Sequence, residues 1–359
     1  MVSGKIKVLV VDDAAVFRQS VSSVLNADPD IYVVGSAPNG KIALAKIEQL
    51  NPDVVTLDVE MPEMDGIETL KNIKQKFPHI GVIMFSVHTE RGARQTIEAL
   101  SLGAFDFVTK PSGTGSFAAS MNRIKEELVP IIKEYWAKIN KKADNRVIIQ
   151  RPVERKIYTP ATPPGIKIKI KKDAIAIGVS TGGPNALAEV IPKFPARIGI
   201  PIFIVQHMPP IFTKQLAERL NSKSNLTIVE AKDNEVIRPD TVYIAPGNFH
   251  MEVKERNAEK IISLNQGPLE NSCRPAADVL FRSVAKIYGK KAIGVVLTGM
   301  GKDGFLGAEM MKQNGSYILA QDQESSVVWD MPRFVVEGGL ADEIVSLNEM
   351  TNAILSNLS

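Results

Sequence analysis

The sequence predicts two doubly wound parallel-sheet α/β domains joined by a linker, and three observations carry that prediction. The chain has 359 residues, enough for two domains that each bury a core of their own. Short β-branched runs alternate with helical patterns on both sides of its middle, as parallel sheets covered by helices on both faces require. Between the two halves, residues 140–172 carry 10 Lys and Arg against 2 Asp and Glu and hold Pro152, Pro160, Pro163, Pro164 and Gly165. That stretch has little amphipathic pattern and reads as a linker. The expected domains are therefore residues 1–139 and 173–359, with 140–172 between them.

In the first domain the expected strands are Ile6–Val11, Ile31–Gly35, Val54–Leu57, Gly81–Phe85 and Phe105–Val108. Asp12 and Asp13 follow the first, Asp58 ends the third, Ser86 follows the fourth and Lys110 follows the fifth. The carboxyl ends of strands in an open parallel sheet form its ligand crevice, so residues this far apart in sequence can converge on one edge. Clustered carboxylates suit Mg²⁺, a hard cation that takes oxygen ligands and is often shared with a phosphate. An Asp carboxylate can also accept a phosphoryl group, with a lysine and a hydroxyl stabilising the transferring oxygens. Solvation of strand ends explains any single aspartate, but poorly explains five such residues at matching strand ends.

In the second domain the expected strands are Ala174–Val179, Ile202–Val205, Val242–Ala245, Ala292–Leu297 and Tyr317–Ala320, with helices such as Pro184–Phe194 and Ala276–Tyr288 between them. Ile166–Ile170 is a candidate edge strand. No sequence repeat relates the two halves.

The first strand of this domain runs through Gly178-Val179-Ser180-Thr181-Gly182 into a helix opened by Pro184. Gly-x-Ser-x-Gly permits a sharp turn that lifts a nucleophilic serine above the sheet and aims backbone N–H groups at an oxyanion. A glycine-rich phosphate loop is the competing reading of this segment alone. A serine needs a base, and the domain has two histidines, His207 and His250. His207 directly follows a strand and so shares the sheet edge of Ser180, which leaves His250 as the reserve. Asp303, in Leu297-Thr298-Gly299-Met300-Gly301-Lys302-Asp303-Gly304, offers the acidic orienter at a third strand end. The same segment spells Gly-x-Gly-x-x-Gly, with Asp322 beyond it, close to a dinucleotide fingerprint. That fingerprint normally opens its fold, whereas this segment lies late in the domain. As a triad the chain order is Ser180, His207, Asp303, and triads tolerate any order. The N–H groups of Thr181 and Met300 are the oxyanion-hole candidates.

Charge narrows the function further. Residues 1–139 carry 15 Lys and Arg against 17 Asp and Glu, and residues 173–359 carry 18 against 21. The net charge of +3 thus originates in the linker, and neither domain has the basic bias of a nucleic-acid binder. No apolar run approaches the ~20 residues of a membrane span, and the N-terminus lacks a signal-peptide core, so a cytoplasmic protein is expected. A lone Cys273 excludes an internal disulfide.

The first half resembles the response-regulator receiver family in Val11-Asp12-Asp13, in Asp58 followed by Met61-Pro62-Glu63-Met64-Asp65-Gly66, in Ser86 and in Lys110-Pro111. The resemblance implies a flavodoxin-like fold, phosphorylation of Asp58 by a histidine kinase, and Mg²⁺ held by Asp12, Asp13 and Asp58. It also implies a switch built from Ser86, Phe107 and Lys110, and a cis bond before Pro111. The second half resembles the catalytic domain of CheB-type chemotaxis methylesterases in Gly178–Pro184, Gln206-His207-Met208-Pro209, Tyr243–Gly247 and Leu297–Gly304. This second resemblance implies a Rossmann-like three-layer hydrolase that needs no cofactor for its ester chemistry. It further implies methyl-accepting chemoreceptors as substrates, demethylated at glutamate methyl esters and deamidated at glutamines. The chemotaxis histidine kinase CheA is the implied phosphodonor. One departure stands at Ser272-Cys273-Arg274-Pro275, where the family pattern has His-Arg-Pro. Two rivals remain: a DNA-binding response regulator, disfavoured by an acidic α/β output half, and a phospho-regulated adaptor with an inactive hydrolase fold.

Overall fold

The computed structural model describes residues 4–111, 117–144 and 170–358. The first domain alternates strands β1 (Ile6–Val11), β2 (Ile31–Ala37), β3 (Val54–Asp58), β4 (Gly81–Ser86) and β5 (Asp106–Thr109) with five helices. The helices are α1 (Ala15–Asn26), α2 (Gly40–Leu50), α3 (Gly66–Lys76), α4 (Glu90–Ser101) and α5 (Phe117–Asp144). All strands pair in parallel in the order β2-β1-β3-β4-β5. Local chemistry starts the helices where polar residues precede the apolar pattern. Asn39, Asp65 and Thr89 each accept a hydrogen bond from a backbone N–H in the first turn of α2, α3 and α4. Strands β3 and β4 are buried at every residue, as continuous apolar runs in a two-faced parallel sheet should be.

The second domain begins with β6 (Ala174–Val179), α6 (Gly183–Val190), β7 (Ile202–Gln206), α7 (Phe212–Asn221), β8 (Thr227–Glu230) and β9 (Thr241–Ile244). A hairpin, β10 (His250–Arg256) and β11 (Glu259–Asn265), then precedes α8 (Ala277–Tyr288), β12 (Ala292–Val296) and α9 (Phe305–Gln313). The chain closes with β13 (Tyr317–Gln321), α10 (Asp330–Glu337), β14 (Glu343–Val345) and α11 (Met350–Ser356). The parallel sheet has the order β14-β13-β12-β6-β7-β9-β8. After β6 the chain winds outward on one side and returns to wind outward on the other, so the topological switch point lies between β6 and β12. Ligand crevices of doubly wound sheets sit at that point.

The structure adds four strands to those the sequence predicts. Strands β8 and β14 are short and lie at the two edges of the sheet, where a strand needs no apolar run. The β10–β11 hairpin forms a separate antiparallel pair whose outer residues are polar, and Asn257 and Ala258 turn it at φ 52° and 64°. Helix α5 continues to Asp144, so the first residues of the segment read as a linker are helical. Residues 145–169, which hold nearly all of the candidate edge strand Ile166–Ile170, lie outside the described residues. The bond before Pro111 is not cis; among the described residues the cis bond is Arg274–Pro275. No helix among the described residues is long and apolar enough to cross a membrane.

The domains meet where α4, β5 and α5 of the first face α6, α7 and the Ser326 loop of the second. Helix α4 packs on α6 and α7. The Phe107 ring stacks on Phe212 with centroids 4.8 Å apart and planes at 14°. Arg94 Nε donates to Gln215 Oε1 at 3.5 Å, Lys214 lies 3.6 Å from Glu90, and Lys138 Nζ donates to the Ser326 carbonyl at 3.0 Å.

Candidate active site

The acidic edge of the first domain is assembled as the strand ends dictate. Asp12 and Asp58 are buried, and Lys110 Nζ bridges them at 2.6 Å from an oxygen of each. The turn after β1 is fixed by Ala14 N–H donating to Asp12 Oδ1 and by Arg18 Nη1 donating to the carbonyls of Asp12 and Asp13. Burial pushes the Asp58 carboxyl up to about 6, and the Lys110 ammonium pulls against that rise. Burial pulls Lys110 down, but the two carboxylates outweigh it and hold its pKa above the ordinary value. Asp12, Asp13 and Asp58 offer carboxylate oxygens within 4.8 Å of one another, an all-oxygen donor set that fits a hard divalent cation. Ser86 ends β4, fully buried, and its hydroxyl donates to the Val87 carbonyl. Phe107 faces the other domain rather than this edge.

At the switch point of the second sheet, Ser180 follows β6 and His207 follows β7. The serine turn is held by Ser180 N–H donating to Thr298 O at 3.0 Å and by Gly183 N–H donating back to Ser180 O at 2.7 Å. Gly182 takes φ +76° in this turn, a conformation that favours glycine. Gly299 lets the neighbouring loop approach, because a Cβ there would stand 2.2 Å from Met331 Sδ and 2.8 Å from Ser180 Cβ. One side chain joins the two strand ends: Gln206 Nε2 donates to the carbonyls of Ser180 and His207 at 3.0 and 3.3 Å.

His207 Nε2 lies 2.7 Å from Asp303 Oδ2. Asp303 is buried and over-determined, accepting from the N–H groups of Ala277 and Asp278 at the start of α8 and from Asn271 Nδ2. Burial raises its pKa, but His207 and the N–H groups of that helix end outweigh burial and hold the carboxyl below its ordinary value. On the other side of the imidazole, Cys273 Sγ stands 3.6 Å from Nδ1. Burial disfavours the imidazolium, yet Asp303 and Cys273 outweigh it and push His207 up to about 10. Among the described residues, no acceptor takes the N–H of Thr181 or Met300, and both residues line the same cavity as Ser180 and His207.

That cavity, about 790 Å³, is walled by both domains: Phe107, Lys110 and Arg123 on one side, Ser180, His207 and Arg274 on the other. Asp106, buried at the junction, accepts from Phe107 N–H at 2.8 Å and bonds the Thr181 side chain, and burial pushes its carboxyl up to about 7. His250, the reserve base, is not part of this site. It is the first residue of β10, buried, with Nε2 bonded to Pro268 O at 2.9 Å. Cys273 faces His207 and not His250. The glycine-rich loop after β12 delivers Asp303 to His207, while Asp322 closes a turn by accepting from Ser325. Asn271, Phe212 and Asp106 were not singled out by the sequence. They stand in loops or at the domain junction, where no periodic pattern marks them.

Two family models match the chain. "CheB methylesterase" matches residues 175–354, and "Response regulator receiver domain" matches residues 8–122. A Trichodesmium erythraeum protein named protein-glutamate methylesterase/protein-glutamine glutaminase is 46% identical over 359 residues, 99% of each chain. The chain belongs to the CheB methylesterase family. A Thermotoga maritima protein of the same name is 44% identical over 340 residues, 95% of each chain. The crystal structure of the Thermotoga maritima CheB methylesterase catalytic domain aligns at 43% identity with a TM-score of 0.51, covering 52% of this chain and 99% of that one. This CheB-family protein is therefore a methylesterase with a receiver domain attached, and the two sheets described above are those of its two parts.

Proposed function

We propose that this is a cytoplasmic serine esterase that demethylates glutamate methyl esters on chemoreceptors, with Ser180, His207 and Asp303 as its triad, and that phosphorylation of Asp58 switches it on. The receiver is assigned to residues 1–139 and the hydrolase to 173–359. One observation carries the reading: a histidine bonded at 2.7 Å to a buried, N–H-saturated aspartate stands beside the serine turn, with the unspent N–H groups of Thr181 and Met300 at hand.

Asp303 holds Nε2, so Nδ1 is the nitrogen that takes the Ser180 proton as Oγ attacks the ester carbonyl. Thr181 and Met300 N–H groups stabilise the oxyanion, a contribution of about 10²- to 10³-fold per donor. Collapse expels methanol, which takes its proton from His207, and leaves an acyl-serine. Water, deprotonated by the same nitrogen, releases the glutamate carboxylate. A receptor glutamine follows the same path with ammonia as the leaving group.

The covered arrangement is the resting one. In it the receiver closes one wall of the cleft. Asp12, Asp13 and Asp58 would hold Mg²⁺, which neutralises phosphoryl charge when bound. With Asp58 phosphorylated by a CheA-type kinase, Ser86 and Lys110 turn toward the phosphoryl oxygens, Phe107 moves with them, and its stack on Phe212 is lost. The population then shifts toward an open cleft.

The test is methanol release from methylated receptor membranes by the full-length protein, with and without Mg²⁺ and a small phosphodonor. Release that rises with the phosphodonor and vanishes in Ser180→Ala supports triad and coupling together. Receptor signalling unchanged by Ser180→Ala would instead favour the adaptor reading.

A further inference from the structure

Three cationic side chains of lysine or arginine line the interdomain cavity, and two of them are neutralised. Lys110 is paired with Asp12 and Asp58, and Arg123 with Glu127. Arg274 is not: among the described residues no carboxylate lies within ion-pair distance of it. The charge is nevertheless held still. Nε and Nη2 donate to Asn248 Oδ1 at 3.1 and 2.6 Å, and Nη1 donates to the carbonyls of Gln266 and Gly267 at 3.0 and 2.7 Å. Asn248 N–H donates back to Arg274 O at 3.0 Å, which closes the ring.

A guanidinium has five N–H donors. Four are spent here on neutral acceptors, so one N–H and the whole positive charge remain for something outside the chain. The backbone that builds this corner is strained: Asn248, Asn271 and Ser272 take φ of 67°, 52° and 61°, a region costly for residues other than glycine and common at ligand clamps. Arg274 lines the same cavity as His207, the base that the sulfur of the adjoining Cys273 touches. Leu269, 60% exposed, lines the same rim and offers an apolar contact.

We infer that Arg274 is a recognition site for a carboxylate on the substrate peptide, so that the enzyme prefers methyl esters flanked by an acidic side chain. The inference rests on the esterase reading and deepens it. A substrate that carries several glutamates supplies such a carboxylate from the start, and each demethylation adds another. The fork is pre-organised by neutral partners, so little side-chain entropy is lost when the acid docks.

The experiment uses two peptides that each carry one glutamate methyl ester and differ only in a nearby glutamate or glutamine. Their affinities are measured by fluorescence anisotropy on full-length Ser180→Ala protein with Mg²⁺ and a small phosphodonor. The acidic peptide is expected to bind about tenfold tighter, a ratio that shrinks with added salt. In Ser180→Ala/Arg274→Gln the ratio falls to near one, and with Arg274→Lys part of it returns. A ratio near one in the parent overturns the proposal. So does an equal loss for both peptides with the ratio kept, which would make Arg274 a brace only. Methanol release by the native enzyme is read separately. Charge-dependent binding without methanol from either peptide would sink the esterase reading and leave this one standing.

Discussion

Cys273 Sγ and Asp303 Oδ2 flank a single imidazole, at 3.6 Å from Nδ1 and 2.7 Å from Nε2 of His207. Both favour the protonated ring, whose pKa stands above its ordinary 6.5. Catalysis needs the neutral ring, so activity is expected to rise as pH climbs through the alkaline range. Cys273→Ala removes one of the two supports. The acid limb of its kcat/KM profile should move to lower pH, and a profile that superimposes on the native one would show that the thiol does not act on the base.

Asp303→Asn keeps the shape of the orienter but removes its charge and favours the wrong imidazole tautomer. In a triad this costs about 10⁴-fold in kcat. The ester-binding surface is untouched, so KM should change little. Steady-state kinetics on a methylated peptide separates the two parameters, and a comparable rise in KM would argue that Asp303 is structural.

The Phe107–Phe212 stack is a direct contact between the receiver domain and the hydrolase domain. Such pairs contribute about 0.5–1.5 kcal/mol beyond buried area. Phe212→Ala should therefore raise unphosphorylated activity roughly two- to tenfold. If phosphorylation opens the native protein as proposed, the gain disappears once phosphodonor is added. Equal gains with and without phosphodonor would place the effect in the cleft itself.

Asp106 gives the closed state a pH dependence of its own. Its carboxyl is raised to about 7 by burial against the other domain. Closure is fully favoured below the ordinary carboxyl range, weakens as pH rises toward 7, and has lost this contribution above it. Asp106→Asn cannot ionise. The ratio of native to variant basal activity should thus climb between about pH 4 and 7 and level off above, and a flat ratio across that range would remove Asp106 from the gate.

The buried elements were legible because burial on both faces demands unbroken apolar runs, as in Val54–Asp58 and Ala292–Val296. The edge strand Glu343–Val345 faces water at Glu343 and Ile344, and the hairpin from His250 to Asn265 buries only one face, so neither carries an unbroken apolar run. Ser180, His207 and Asp303 could be nominated because a doubly wound sheet gathers its strand ends, whatever lies between them in sequence. The contacts made by Asn271, Cys273 and Phe212 depend on how loops fold back and how two domains dock. Those are distances through space, and periodicity along the chain does not encode them.

The receiver meets the hydrolase through the packing of α4 on α6 and α7, the Phe107–Phe212 stack, the Asp106–Thr181 bond, a long hydrogen bond, an exposed ion pair and a lysine to a carbonyl. Covalent linkage strengthens whatever grip that surface has. Joined to its target through one chain, the receiver meets it at an effective concentration on the order of 1 mM. A contact with Kd of about 0.1 mM then suffices to keep roughly nine molecules in ten shut. A lid held at that ratio is lifted by a change of about 3 kcal/mol, which reverses it. A receiver supplied on a separate chain should accordingly fail to inhibit at micromolar concentration, because covalent linkage supplies most of its grip.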